Sequence, residues 1–143
     1  MSYDVKINTG DLVLQNGDLK KVIDSEKLIQ DILKLCVTTA GTNPLVPWYG
    51  SFLSRTIVGT AMDTTMLIQI SKSQLNSALE NLKNLQDLQV KTFQNVTADE
   101  QIGAILDISV VRNNNDYRLF DVQIKALTKG LKPITTAFRV STI

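Results

Sequence analysis

The period of the apolar positions along this chain changes from two to 3.6 and back to two. Tyr3, Val5 and Ile7 alternate with Asp4 and Lys6, which predicts a short strand or ordered arm. Leu12 to Gln15, the dipeptide Asn16-Gly17, and Asp18 to Ile23 predict a hairpin. Asn-Gly suits a type I′ turn because both central residues need positive φ. Asp24 and Ser25 then stand as helix N-caps, with Glu26 in the first turn. Leu28, Ile29, Ile32, Leu33, Leu35 and Cys36 recur at helical spacing, so a helix should run to about Thr38, with Gly41 ending it.

Thr38 to Leu53, TTAGTNPLVPWYGSFL, interrupts the helical pattern. Pro44 and Pro47 each fix φ and lack an N–H, so the stretch is not a helix. Its aromatic end, with Trp48, Tyr49 and Phe52, is expected to pack inward as a plug that sets the angle between two helices. Ser51 to Val58 is expected to form a turn or two of helix stopped by Gly59. Asp63, Thr64 or Thr65 caps the next helix. Leu67, Ile70, Gln74 or Leu75, Ala78, Leu82 and Leu85 hold one face, predicting about 22 residues, with Ser71, Lys72, Asn76, Glu80 and Lys83 on the wet side.

Period two returns at Leu88, Val90 and Thr92, which predicts a strand start. Thr97 to Gln101 is turn-like. Ile102, Ala104, Leu106, Ile108 and Val110 form one strand face, and Phe120, Val122, Ile124 and Ala126 the next. Asn113 to Asp116 is the turn between them. Gly130 and Pro133 precede a last β-prone segment, Ile134 to Ile143. The fold class is therefore α+β: an N-terminal hairpin, then two main helices packed on one face of a C-terminal antiparallel meander. Residues 1–143 read as one domain, with 133–143 a terminal strand suited to pairing with a partner's sheet, and with no internal repeat. A chain cut before Ile134 is expected to fold.

Composition narrows the chemistry. Charged residues make up 20% and the formal net charge is +1, so no global field favours nucleic acid. No apolar run is long enough to span a bilayer, and the first residues do not read as a secretory signal. The chain has no histidine and one cysteine, which removes Ser-His-Asp and Cys-His nucleophile systems and the commonest zinc sets. Cys36, on the apolar stripe, reads as a small buried hydrophobe. Glu26, Glu80 and Glu100 read as solvated charges and Asp107 as a wet-face strand residue, so no catalytic pair is expected. No phosphate loop, calcium loop or other cofactor site is visible. From Tyr117 onward Arg118, Lys125, Lys129, Lys132 and Arg139 face one anion, Asp121, which would suit an acidic partner.

A series of short motifs then adds information. Gly17-Asp18-Leu19 is followed by Leu28-Ile29-Gln30-Asp31-Ile32 and Leu35. Thr38-Thr39 with Gly41 comes next, then Pro47-x-Tyr49-Gly50-Ser51-x-Leu53. In this order and spacing, residues 11 to 55 resemble the small baseplate wedge proteins of contractile phage tails, which are related to components of type VI secretion baseplates. The family often carries a lysozyme-like label. Two departures stand out: Gly41 is followed by Thr42 and Asn43 rather than Glu, and no Glu-Pro-Arg trio lies between the long helix and the meander.

The resemblance implies a non-enzymatic structural subunit of the virion tail baseplate, assembled in the host cytoplasm and present in multiple copies in a symmetric assembly. Its implied partners are other wedge proteins and the tail sheath subunit, whose first ring it would initiate by C-terminal strand pairing. Neither nucleic acid, membrane nor cofactor is implied. Partner-binding candidates are Pro47, Trp48 and Tyr49 in the loop, and Ile134, Phe138, Arg139, Val140 and Ile143 in the terminal segment. The alternatives are a peptidoglycan hydrolase of the tail and a regulatory adaptor of the same fold.

Overall fold

A computed structural model describes residues 2–59 and 61–142. Six two-residue strands open the chain: β1 (Asp4–Val5), β2 (Ile7–Asn8), β3 (Asp11–Leu12), β4 (Leu14–Gln15), β5 (Asp18–Leu19) and β6 (Lys21–Val22). They pair antiparallel as β1–β6, β2–β3 and β4–β5. The arrangement is a stem with two hairpin arms, not the single hairpin expected. Both arms turn through positive φ, at Thr9-Gly10 (50° and 83°) and at Asn16-Gly17 (54° and 83°). The second is the Asn-Gly turn read from the sequence; the first lacks that signal, since threonine seldom takes positive φ.

The three arms meet in a ring of backbone bonds. Lys6 N donates to Lys20 O at 2.8 Å, Lys20 N to Val13 O at 2.8 Å, and Val13 N to Lys6 O at 3.1 Å. These residues are spaced by seven, and so is the sequence around them. INTGDL at 7–12 and LQNGDL at 14–19 are two copies of one hairpin, so an internal repeat is present after all.

Helix α1 (Asp24–Val37) follows. Its expected caps are used elsewhere: Ile23 occupies the N-cap with no side-chain bond, and Asp24 sits at φ 51°. The Asp24 carboxylate instead accepts from Thr97 Oγ1 at 2.9 Å, and buried Ser25 accepts from Lys132 Nζ at 3.0 Å. Tertiary partners have taken the groups that would otherwise cap the helix. The short α2 (Leu53–Ile57) and the long α3 (Thr64–Lys91) complete the helical layer. Asp63 caps α3 through Thr65 N at 3.2 Å.

Helix α3 runs 28 residues, so Leu88 and Val90 belong to its last turn, and Thr92 is its C-cap, not part of a strand. Both Leu88 and Val90 are exposed. Their alternation reflected solvent-facing apolar residues at a helix end, which a two-residue period mimics. Ser71, expected on the wet side, is fully buried. It continues the i, i+4 row Leu67, Leu75 and Leu79, and α3 meets both α1 and the sheet, so its buried arc is broad.

A 3-10 turn, Ala98–Glu100, leads into β7 (Ile102–Arg112), β8 (Leu119–Thr128) and β9 (Pro133–Ser141), an antiparallel sheet in the order β7-β8-β9. Phe120, Val122, Ile124 and Ala126 face the helices, as expected, and are all buried. Burial of Phe120 alone contributes on the order of 2–3 kcal/mol. In β7 the alternation fails. The register shifts between Ile102 and Ala104 and again between Ile105 and Asp107. Leu106 is therefore exposed, while Ile105 and Ile108 pack against the core. Gly103 accommodates the first shift, since a Cβ there would lie 2.8 Å from the Thr128 carbonyl oxygen.

Candidate functional site

The terminal strand forms one edge of the sheet. The backbone bonds that flank it, Thr128 N to Lys132 O at 3.0 Å and Thr142 N to Arg118 O at 2.8 Å, fix which of its groups face β8. With the register Phe120↔Val140 and Ile124↔Thr136, the even-numbered residues of β9 carry the bonds to β8. The N–H and C=O groups of Thr135, Ala137 and Arg139 consequently point away from β8, toward the open edge. The even-numbered side chains face the core: Ile134 and Thr136 are buried, and Phe138 and Val140 are half-buried against it.

The sequence-named residues thus divide by role. Ile134, Phe138 and Val140 hold the strand to its own molecule. Arg139 lies on the solvent face and donates Nε to Asp121 Oδ1 at 2.6 Å, where Asn113 Nδ2 also reaches Oδ2 at 3.1 Å. Ile143 lies outside the described residues. A chain cut before Ile134 would uncover β8 and the core beneath it, so the expectation that such a truncation folds is corrected.

The two sheet edges differ. Beside β7 a groove of about 450 Å³ is lined by Gln69, Lys72, Ser73 and Asn76 of α3 and by 105–108 of the strand. That edge is broken by the two register shifts, which is how natural sheets blunt an edge. The β9 edge pairs with β8 without a shift from Leu119↔Ser141 to Leu127↔Pro133.

The proline loop is pinned to the end of α1. Ser51 N donates to Thr38 O at 2.8 Å and Ala40 N to Ser51 O at 3.0 Å, making a parallel bridge Thr39↔Ser51. Ser51 Oγ also reaches Cys36 O at 2.7 Å. The bridge buries Ser51 and Leu53, and alternation then turns Phe52 outward. Trp48 stands edge-on to Tyr49, with ring centroids 6.3 Å apart, and remains 44% exposed. The inward aromatic plug is therefore corrected: Tyr49 alone packs on the core, and Trp48 and Phe52 face solvent. Pro47, Trp48 and Phe52 line a groove of about 340 Å³ against Gln74, Ser77 and Asn81 of α3, with no charged residue in its wall. The loop is pinned to the end of α1 and lines α3, whereas β9 meets α1 and α2.

Titratable groups are mostly engaged. Burial pushes the Cys36 thiol up to about 12, which leaves it protonated and inert. Glu100, expected on the surface, is buried. Its Oε2 accepts from Thr97 N at 3.0 Å and its Oε1 from Ser2 N at 3.1 Å. Thr97-x-x-Glu100 is a capping box, and that spacing was legible in the sequence. Of the C-terminal cations, Arg118 pairs with Asp116, Lys129 with Asp87 and Arg139 with Asp121. The basic tail is thus largely neutralised within the molecule. Among the described residues no acidic, His or Cys group could hold a metal ion, and no helix is long and apolar enough to cross a membrane.

No protein-family model matches the chain, and no curated protein matches it. Among solved structures, a crystal structure of a protein from Geobacter sulfurreducens, provisionally designated a tail lysozyme, superposes with a TM-score of 0.61. The match covers 93% of this chain and 97% of that one. The two chains share a fold. Their sequence identity is 11%, so the likeness is one of architecture.

Proposed function

We propose that this chain is a non-enzymatic structural subunit of a contractile phage tail baseplate, which joins wedge proteins and initiates the sheath by pairing β9 with a strand of the sheath subunit. The observation that carries the reading is the open, regular β9 edge, with outward backbone groups at Thr135, Ala137 and Arg139. Strand addition there would take its affinity from main-chain hydrogen bonds. The shared fold with a tail protein and the motif series between residues 11 and 55 support the setting. The neutral groove at Trp48 offers a second contact, suited to a wedge protein.

The test follows from the strand geometry. Ala137→Pro removes one outward N–H and keeps the bonds to β8, and proline is tolerated on an edge strand. The variant should fold, yet fail to start polymerisation of purified sheath subunit. Sheath formation at the wild-type rate on a folded Ala137→Pro protein would exclude strand pairing at this edge.

A hydrolase reading has one observation behind it, since Asp31 and Glu100 line the same cleft of about 180 Å³. Their partners oppose it. Asp31 is paired with Lys27 at 2.7 Å and Lys34 at 3.4 Å, and both oxygens of Glu100 accept backbone N–H groups. Neither is placed to donate a proton to a glycosidic oxygen. Purified protein should leave peptidoglycan turbidity unchanged.

A further inference from the structure

The three-armed head has two unlike faces. Strand alternation puts Lys6, Val13, Lys20 and Val22 on one side, and these are half-buried or buried. The other side carries Ile7, Leu12, Leu14 and Leu19. Extended Ile23 continues the same alternation. Lys21 also points this way, and its Nζ lies 4.3 Å from the centre of the Tyr3 ring, which places Tyr3 on this side. The cross-strand pairs Ile7↔Leu12 and Leu14↔Leu19 are therefore neighbours on a single apolar surface. Its members are open to solvent: Tyr3 60%, Ile7 42%, Leu12 53%, Leu14 68%, Leu19 46% and Ile23 41% exposed.

We infer that this face pairs with the same face of a second copy of the chain. The exposed parts of the six residues amount to on the order of 600 Å², the upper end of what a monomer ordinarily leaves uncovered. Two such faces would bury about 1,200 Å², the size at which a specific interface begins. Apart from the Tyr3 hydroxyl and the Lys21 ammonium over the Tyr3 ring, the surface is apolar. It therefore selects by apolar area, and an apolar face can meet its own copy about a two-fold axis. Asp11 and Asp18 lie on the opposite side by the same alternation, so the pairing brings no carboxylates together. This contact is independent of the β9 edge.

Sedimentation equilibrium of the full chain between about 1 and 100 µM covers the affinities that such an interface gives. The expected result is a monomer–dimer equilibrium. Leu14→Asp should weaken it at least tenfold without changing the circular dichroism, and Leu19→Lys should do the same. Gln15→Asp, one residue along but on the other face, should leave it unchanged. A wild-type chain that stays monomeric at the top of the range would overturn the inference. So would a dimer indifferent to Leu14→Asp, or a monomer that binds phosphatidylcholine vesicles through this face.

Discussion

Gln86 Oε1 accepts from Ile102 N at 2.8 Å while its Nε2 donates to Glu100 O at 3.0 Å. One side-chain amide thus stands in for a neighbouring strand just before β7 begins. Gln30 does the same for the head: its Oε1 accepts from Ile7 N at 2.9 Å and its Nε2 donates to Val5 O at 2.8 Å. Each helix holds an irregular segment to itself by satisfying the donor of one residue and the acceptor of the residue two before it.

Gln86→Met keeps the size and removes both partners. Gln86 is 4% exposed, so no water replaces them readily. Two buried backbone groups left unsatisfied should cost about 2–4 kcal/mol. Chemical denaturation should show that loss with an unchanged m-value. Gln30→Met should cost less, because Ile7 is partly open to water, and its effect should concentrate in hydrogen exchange of the head.

Gly50 sits at φ 112°, and a Cβ on it would lie 2.6 Å from the Thr38 carbonyl oxygen and 2.9 Å from the Ala40 nitrogen. Neither atom can retreat without breaking the Thr39↔Ser51 bridge. Gly50→Ala should therefore destabilise the chain by roughly 2–4 kcal/mol and raise the mobility of the Trp48 loop, read as a change in tryptophan fluorescence and melting temperature. Gly41→Ala meets no atom within 4 Å and suffers only its positive φ, so its cost should be smaller.

Burial alone would raise the Asp4 carboxyl, but bonds from Lys34, Gln30 and the Val5 amide hold it below its ordinary value. Burial would lower the Lys34 ammonium, and Asp4 with Asp31 holds it above its ordinary value. The depressed Asp4 stabilises the head above the ordinary carboxylate pKa of about 3.9, and that contribution is lost as pH falls below it. The elevated Lys34 stabilises below about 10.4, and that contribution is lost as pH rises beyond it. The pair is partly exposed, so its worth is no more than about 1 kcal/mol. In Asp4→Asn the amide exchange protection of Lys6 and Ile7 should be lower at pH 7 and should no longer drop between pH 5 and 3.

Much of this architecture could be read from periodicity, and its failures have physical causes. The apolar stripe of α1, at Leu28, Ile32, Leu35 and Cys36, and that of β8, at Phe120, Val122, Ile124 and Ala126, are buried as their repeats predict. β7 did not, because two register shifts move its side chains from face to face, and Gly103 was the one sign of them. The head was half legible. Asn16-Gly17 announced its turn, whereas the sign of Thr9-Gly10 is the Asp-Leu that follows Gly10 as it follows Gly17. Of the candidate site, the edge position of β9 was accessible from strand order, but which residues turn their backbone outward depends on the register with β8. The outward turn of Trp48 and Phe52 depends on a bridge between Thr39 and Ser51 that no local pattern encodes.

Ser71 offers a last test of how α3 is packed. It is fully buried on the row of Leu67, Leu75 and Leu79, and its Oγ has no hydrogen-bond partner among the described residues. Removing that hydroxyl takes away an unsatisfied polar atom and replaces serine with the best helix former. Ser71→Ala should therefore stabilise the chain by about 1 kcal/mol, against the usual direction of core substitutions. Ser71→Val adds volume that a packed helix–sheet contact does not hold, and its β-branch is poorly tolerated in a helix, so it should destabilise. Paired thermal melts of the two variants decide the matter. A loss on Ser71→Ala would mean that the hydroxyl is satisfied in solution, by bonding back to the carbonyl one turn earlier in α3.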